Sequence, residues 1–102
     1  MDSACESRWV QAARLGDADA LRHLVELNYG SIFRYVLTAL SFDQEAAADI
    51  TQEAFIGAVS SINSFRGDSS FRTWVIGIAT NQMRSAYRKG QISETATYDL
   101  LE

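Results

Sequence analysis

The sequence predicts an all-α fold, a compact bundle of about four helices, for residues 1–90 of this 102-residue chain. Two observations lead to this prediction. The chain contains no proline, so nothing forces a break in long helices. Apolar residues also recur at intervals of three and four along several stretches, which is the spacing of one face of an α-helix. With 47% hydrophobic residues, the chain has enough apolar material for one small core.

The first two helices are delimited by turn-forming residues. We expect the first helix over about residues 6–15, with Gly16 ending it, because glycine commonly follows a last helical turn. Asp17 is a suitable cap for the second helix, which runs to about Leu40 with apolar residues at helical spacing. Gly30-Ser31 weakens the middle of this helix, so we expect a kink or a split there.

The last two helices have similar signals. Asp43 is expected to cap the third helix, which covers about residues 44–62. A loop containing a glycine follows. Ser69 or Ser70 is expected to cap the fourth helix, which runs to about Lys89.

The formal net charge of −4, taken alone, argues against binding to nucleic acid. The charge is unevenly spread, however. Residues 1–64 carry −5, whereas five cations against Asp68 alone give residues 65–90 a net charge of +4. Residues 91–102 carry −3 and are interpreted as an acidic linker or tail beyond the helical domain. A short basic segment in an acidic protein suggests one face for an anion and another for a different partner.

The remaining composition narrows the class of function. The lone cysteine, Cys5, cannot form a disulfide within the chain, which fits a reducing cytoplasm. No metal-ligand set includes Cys5 or the single His23, and no nucleophile–base pair or phosphate loop is visible. We therefore expect no metal, no cofactor and no enzyme activity. No apolar run approaches the roughly 20 residues of a membrane span, so no membrane association is expected.

The third predicted helix has two different faces. At about 100° per residue, one side collects apolar residues that we expect to be core: Ala47, Ile50, Ala54, Phe55, Ala58 and Ile62. The opposite side is mostly acidic or amide: Glu45, Asp49, Gln52, Glu53, Ile56 and Ser60. Two interpretations fit this side. It is either a solvated face with one stray isoleucine, or a partner surface whose carboxylates meet basic residues around a dry centre at Ile56.

The fourth predicted helix combines an aromatic residue with cations. One side is mostly core: Phe71, Val75, Ile78, Ala79, Gln82 and Ala86. Another side holds Trp74, Gly77, Asn81, Arg84 and Arg88, with Arg72 and Lys89 nearby in sequence. Single-stranded nucleic acid is held by such a mixture, since bases stack on rings and cations track the phosphates. The alternative is a core tryptophan beside solubilising arginines, and the spacing alone does not decide between the two.

The loop before this helix is a second candidate site. It reads Phe65, Arg66, Gly67, Asp68, Ser69 and Ser70, and it ends at a helix N-terminus whose free N–H groups favour anions or polar base edges. A flipped base needs an apolar wall for its ring and hydrogen-bonding groups for its edge. A plain capping turn would also use glycine, aspartate and serine, but it has no need of Phe65 and Arg66.

Together these segments resemble region 2 of the extracytoplasmic-function group of sigma factors, within the sigma-70 family. Residues 49–56 read DITQEAFI, and residues 64–81 read SFRGDSSFRTWVIGIATN. The segment ARLGDADAL at residues 13–21 is also similar to the opening of that region. The resemblance covers roughly residues 8–90, and the combination of a DxxQE helix with FRGxSSFxTW at this distance is specific.

The resemblance implies a transcription-initiation role. The exposed face of the third helix would dock on the clamp coiled coil of the beta-prime subunit of core RNA polymerase: Asp49, Gln52, Glu53 and Ile56. The fourth helix and its loop would bind the non-template strand of the minus-ten promoter element as the duplex opens. The loop from Phe65 to Ser70 would hold one flipped base, with Trp74, Asn81, Arg84 and Arg88 along the melted strand.

The sequence departs from the family in two places and leaves one alternative open. Val59 stands where the family often has an aromatic residue, and Ser85 where it often has an acidic one. Such sigma factors usually carry a second, helix-turn-helix domain that reads the minus-thirty-five element, and we expect it to be absent from this chain. An anti-sigma factor is an expected partner. The alternative function is a protein–protein module that binds an anti-sigma factor and has no DNA function.

Overall fold

The structure, a computed structural model, describes the backbone of residues 3–90 and the side chains of residues 6–90. This part of the chain forms four α-helices: α1 at Ser3–Arg14, α2 at Ala18–Ala39, α3 at Gln44–Ser60 and α4 at Phe71–Arg88. A short 3-10 turn at Ile62–Ser64 follows α3. The predicted all-α bundle of four helices is confirmed. The predicted acidic tail, residues 91–102, lies outside the described residues.

Aspartate side chains cap the N-termini of α2 and α3. The Asp17 carboxylate accepts hydrogen bonds from the backbone N–H groups of Asp19 and Ala20, at 3.0 and 3.2 Å. Asp43 accepts from the N–H of Ala46 at 3.1 Å. These bonds satisfy N–H groups that have no partner within the helix. Both predicted caps are confirmed.

Three helices differ from the sequence prediction, and the first of them, α1, begins at Ser3, three residues before its predicted start. Helix α2 is continuous from Ala18 to Ala39, so Gly30 does not split it. Helix α3 ends at Ser60, two residues before the predicted end, and the chain tightens into the 3-10 turn. The Ser61 hydroxyl donates to the carbonyl of Gly57 at 2.6 Å, and Ile62 and Phe65 are both buried by the turn. Burial of these two apolar side chains favours the tighter turn over a longer α3.

The core lies among all four helices. The α3 face predicted to be apolar is buried throughout, and it packs against both α2 and α4. Its alanines allow α4 to approach closely, and a Cβ at Gly57 would lie 3.4 Å from the Ile78 side chain. On α3 and α4, two buried residues were not predicted to be core. Thr51 is fully buried and donates its hydroxyl to the carbonyl of Ala47 at 2.7 Å, and Met83 fills the centre of the α4 core face. Within the described residues, no helix combines the length and the hydropathy needed to cross a bilayer.

The turn between α2 and α3 holds two non-glycine residues in the left-handed region, Ser41 at φ 55° and Phe42 at φ 67°. This region costs an L-residue roughly 1–2 kcal/mol, and glycine tolerates it. We expect Ser41→Gly to raise the free energy of unfolding by about 0.5 kcal/mol, measured by denaturant titration, because part of the gain is offset by the freer unfolded chain. Gly16→Ala, at φ 98°, is the control and should lower it. A destabilised Ser41→Gly would contradict the strain argument.

Candidate functional site

One long side of α4 faces solvent and carries the mixture predicted from the sequence. Gly77, Asn81, Arg84 and Arg88 are exposed on it, and Trp74 is half-buried at its beginning. The Arg84 guanidinium donates to the Asn81 side-chain oxygen at 3.5 Å. From Trp74 to Arg88 the row is about 21 Å long at the helical rise per residue. We call this row, Trp74, Gly77, Asn81, Arg84 and Arg88, the α4 stripe.

Two cations that the sequence placed near this row lie elsewhere. The Arg72 guanidinium donates to the side-chain oxygen of Asn28 in α2 at 3.4 Å. Asn28 is buried and donates in turn to the carbonyl of Leu24 at 2.7 Å. Lys89 lines a groove between α3 and α4, opposite Asp49 and Glu53. The structure therefore does not bring Arg72 and Lys89 onto the α4 stripe.

An aromatic cluster supports the beginning of the stripe. The Phe65 ring stacks on the Trp74 ring with centroids 4.9 Å apart, and it meets Phe71 edge-on at 6.2 Å. Only 3% of Phe65 is exposed. The structure differs here from the expected apolar wall for a flipped base, because burial in the core outweighs exposure of this ring in the loop. Phe65 fixes the orientation of Trp74, which keeps part of its own surface in solvent.

The loop after Phe65 forms one wall of a cleft of about 410 Å³. Arg66, Gly67, Asp68, Ser69 and Ser70 are all exposed on this wall. Gly67 has a φ of 83°, which lets the loop turn at this point. The Ser70 hydroxyl accepts from the N–H of Thr73 at 3.1 Å, so Ser70, rather than Ser69, caps α4.

The opposite wall of this cleft comes from α1, which the sequence did not predict. It consists of Glu6, Ser7, Val10, Gln11 and Arg14. The Glu6 carboxylate accepts a hydrogen bond from the backbone N–H of Phe71 at 3.1 Å, across 65 residues of sequence. No local spacing signals a contact at such a distance along the chain, and only the packing of α1 in the bundle reveals it.

The four residues predicted to bind polymerase lie together on the exposed side of α3: Asp49, Gln52, Glu53 and Ile56. Ile56 is 51% exposed. It borders an apolar groove of about 370 Å³ between α2 and α3. The other lining residues are Val25, Tyr29, Gln52, Phe55, Val59 and Ser60. We call this surface the α2–α3 groove.

Aromatic stacking shapes the floor of the α2–α3 groove. The Tyr29 ring stacks on Phe55 of α3 at 5.6 Å and on Phe33 at 6.3 Å. Tyr29 and Val59 remain 40% and 41% exposed, so both present apolar surface to solvent. Neither residue was predicted from the sequence to belong to a site, although Tyr29 lies four residues after Val25 and therefore shares a helix face with it.

A side-chain hydrogen bond joins α4 to α3. The Gln82 side-chain amide donates to the backbone carbonyl of Glu53 at 3.0 Å. This bond uses the Glu53 backbone and leaves its carboxylate exposed on the α3 face. Among the described residues, no group of three His, Cys, Asp or Glu side chains is placed to hold a metal ion. The two exposed surfaces differ in their chemistry, since one is acidic and apolar and the other is basic and aromatic.

The sequence of the chain is similar to those of known proteins. The family model for Sigma-70 region 2 matches residues 24–92. The RNA polymerase sigma-H factor of Pseudomonas aeruginosa is 35% identical over 80 residues, which cover 78% of this chain and 41% of that protein. The ECF RNA polymerase sigma factor SigW of Bacillus subtilis is 36% identical over 80 residues, with 78% and 42% covered.

A shorter stretch matches more strongly. The ECF RNA polymerase sigma-E factor of Escherichia coli K12 is 51% identical over 37 residues, which cover 36% of this chain and 19% of that protein. No solved structure matches the chain. The chain spans about two fifths of the length of the first two relatives. Because the family model covers more than half of the chain and agrees with the helical bundle, the chain belongs to the sigma-70 family as a region 2 domain of the extracytoplasmic-function type.

Proposed function

We propose that this domain binds core RNA polymerase through α3 and captures the opened minus-ten element of a promoter through α4 and its preceding loop. The observation that carries the proposal is the placement of Trp74, Asn81, Arg84 and Arg88 along one exposed row, beside the cleft of residues 65–70. A generic basic surface would not need an aromatic ring at one end of the row and a cleft beside it.

The proposed DNA-binding mode follows from the chemistry of this surface. Arg84 and Arg88 hold the phosphates of the non-template strand, and the exposed part of Trp74 takes the face of an unstacked base. Gly77 has no side chain, and no atom lies within 4 Å of the position of a Cβ there, so the strand can approach the backbone closely. One flipped base enters the cleft, where the side-chain oxygens of Asp68, Ser69 and Ser70 offer acceptors to its edge.

The proposed polymerase contact uses both charge and apolar surface. The side chains of Asp49, Gln52 and Glu53 meet basic residues on the clamp coiled coil of the beta-prime subunit. The α2–α3 groove receives an apolar side chain from the same partner helix, in the manner of a helix docked into a groove. Ile56 lies between the two parts and joins them into one surface. An anti-sigma factor would compete with polymerase by covering this surface.

The DNA part of the proposal is tested with the two separated strands of a minus-ten element. The element is taken from a promoter that core polymerase transcribes when this protein is added. Fluorescence anisotropy should give tighter binding to the non-template strand than to its complement. Affinity should fall with salt at a log–log slope of about −2, because Arg66, Arg84 and Arg88 each neutralise about one phosphate and release counterions. Equal affinity for the two strands would mean that the protein binds DNA by charge attraction alone. That result would favour the alternative, a protein–protein module without DNA function.

A further inference from the structure

The hydrogen bond from Phe71 to Glu6 joins two distant elements at the edge of the proposed base site. Phe71 is the first residue of α4, and its backbone N–H is one of those that no carbonyl within the helix can satisfy. The Glu6 carboxylate of α1 accepts it at 3.1 Å and is half-buried where it does so. A bond to an ionised carboxylate is about twice as strong as a neutral one.

Local capping of α4 is already provided from its own side of the cleft. The Ser70 hydroxyl accepts from the N–H of Thr73 at 3.1 Å and donates to the Thr73 hydroxyl at 3.0 Å. Glu6 therefore adds something that a local cap cannot, namely a fixed position of α1 relative to the start of α4. Within the described chain, it is the only hydrogen bond between α1 and residues 65–74.

The position of α1 sets the shape of the cleft. Ser7, Gln11 and Arg14 form the wall that faces Arg66–Ser70, and the Glu6 bond lies where the two walls meet. A change in the angle between α1 and α4 would widen or narrow the cleft without moving the α4 stripe, because no residue of the stripe lines the cleft. Affinity for the flipped base and affinity for the phosphates thus depend on different contacts.

We infer that Glu6 is a positioning residue for base recognition: it holds α1 as the second wall of the cleft, with Gln11 and Arg14 facing the bound base. This inference rests on the proposed function, because it assigns a role within the same DNA site. It makes α1 one of the elements that recognise the flipped base, whereas the sequence predicted that only the loop and α4 do so. A purely structural cap would contribute to folding stability alone.

The test uses the 102-residue chain and a pool of single-stranded DNA randomised at eight consecutive positions. Sequencing the bound fraction gives the base preference of the unmodified protein at each position. A strand with the preferred bases is then compared with matched strands that are abasic at one position at a time. The affinity ratio of the intact strand to each abasic strand measures base recognition, and the salt slope measures phosphate contact.

Glu6→Ala should reduce this ratio about tenfold at one position and leave the salt slope unchanged, since a single base contact is lost. Glu6→Gln retains an acceptor oxygen for the Phe71 N–H, so it should preserve most of the ratio. Asp43→Ala is the matched control, because it removes a cap of similar strength from α3, away from the cleft. It should lower the melting temperature and leave the ratio unchanged.

Three outcomes would overturn the inference. Glu6→Ala could weaken intact and abasic strands by the same factor, or Asp43→Ala could lower the ratio as much, and either result would leave a cap that serves stability alone. Equal losses in Glu6→Gln and Glu6→Ala would make the charge, and not the bond to Phe71, the determinant. If the unmodified protein shows no base preference at any position, the proposed DNA function itself fails, and that result is distinguishable from the three outcomes above.

Discussion

Core RNA polymerase should no longer be retained by the protein when Gln52 and Glu53 are both replaced by lysine. Both side chains are exposed at the centre of the α3 face, so the replacement puts two cations against the basic partner residues that we propose. Like charges brought together at an interface cost several kcal/mol, which is enough to lower the affinity by a factor of 100 or more. Retention of polymerase on the immobilised protein measures the effect.

The chain offers a matched control for this charge reversal. Gln44 and Glu45 are the same pair of residue types, exposed two turns earlier on the same helix, about 12 Å away along its axis. Although Glu45 shares the acidic face, neither residue is among the four that we propose to contact polymerase. Replacing them by lysine changes the net charge equally and should leave polymerase retention nearly intact. Oligonucleotide binding should survive in both variants, because neither touches the α4 stripe. Loss of both activities from Gln52→Lys with Glu53→Lys would indicate misfolding, and equal retention by both variants would contradict the proposed α3 surface.

Neutralising Arg84 and Arg88 together should weaken binding of the non-template strand by about tenfold near physiological salt. Glutamine at both positions keeps the helix and removes two phosphate contacts. The log–log dependence of affinity on salt should become shallower by about 1.4, since each contact with a single strand contributes about 0.7. A titration of the labelled strand at several salt concentrations measures both quantities.

The control for this prediction neutralises two arginines that lie on other helices. Arg8 and Arg34 are exposed on α1 and α2, and neither belongs to the stripe or lines the cleft. Glutamine at these two positions should leave the salt slope unchanged. If the two double variants changed the slope equally, binding would depend on net charge, and the α4 stripe would have no special role.

The sequence predicted most of the fold because its signals are local. Asp17 and Asp43 precede helices in sequence, and an exposed cap followed by apolar spacing can be recognised without knowledge of the neighbours. The core face of α3 was predicted because helical periodicity requires only one helix. Met83 was missed on α4 because half-buried Gln82 and Ile78 shifted the predicted centre of that face toward α3.

The site was less predictable because it is assembled from distant parts. Phe65 looked like a loop residue open to a base, and its stacking on Trp74 depends on how the loop folds back over α4. Arg72 and Arg84 look equivalent in sequence, yet only the neighbouring helix decides that Arg72 contacts Asn28. The α2–α3 groove needs side chains 30 residues apart to meet, so Ile56 could be recognised as unusual on its helix but not as part of a groove.

The link between Gln82 and the Glu53 carbonyl has a mechanical consequence. With Gly57 allowing close approach, this hydrogen bond ties α4 directly to the backbone of α3. Under the proposed function, one of these two helices is clamped to the enzyme and the other grips the unwound strand. In that case the spacing between α3 and α4 sets the distance between the polymerase surface and the melted bases, and this distance is the same at every promoter.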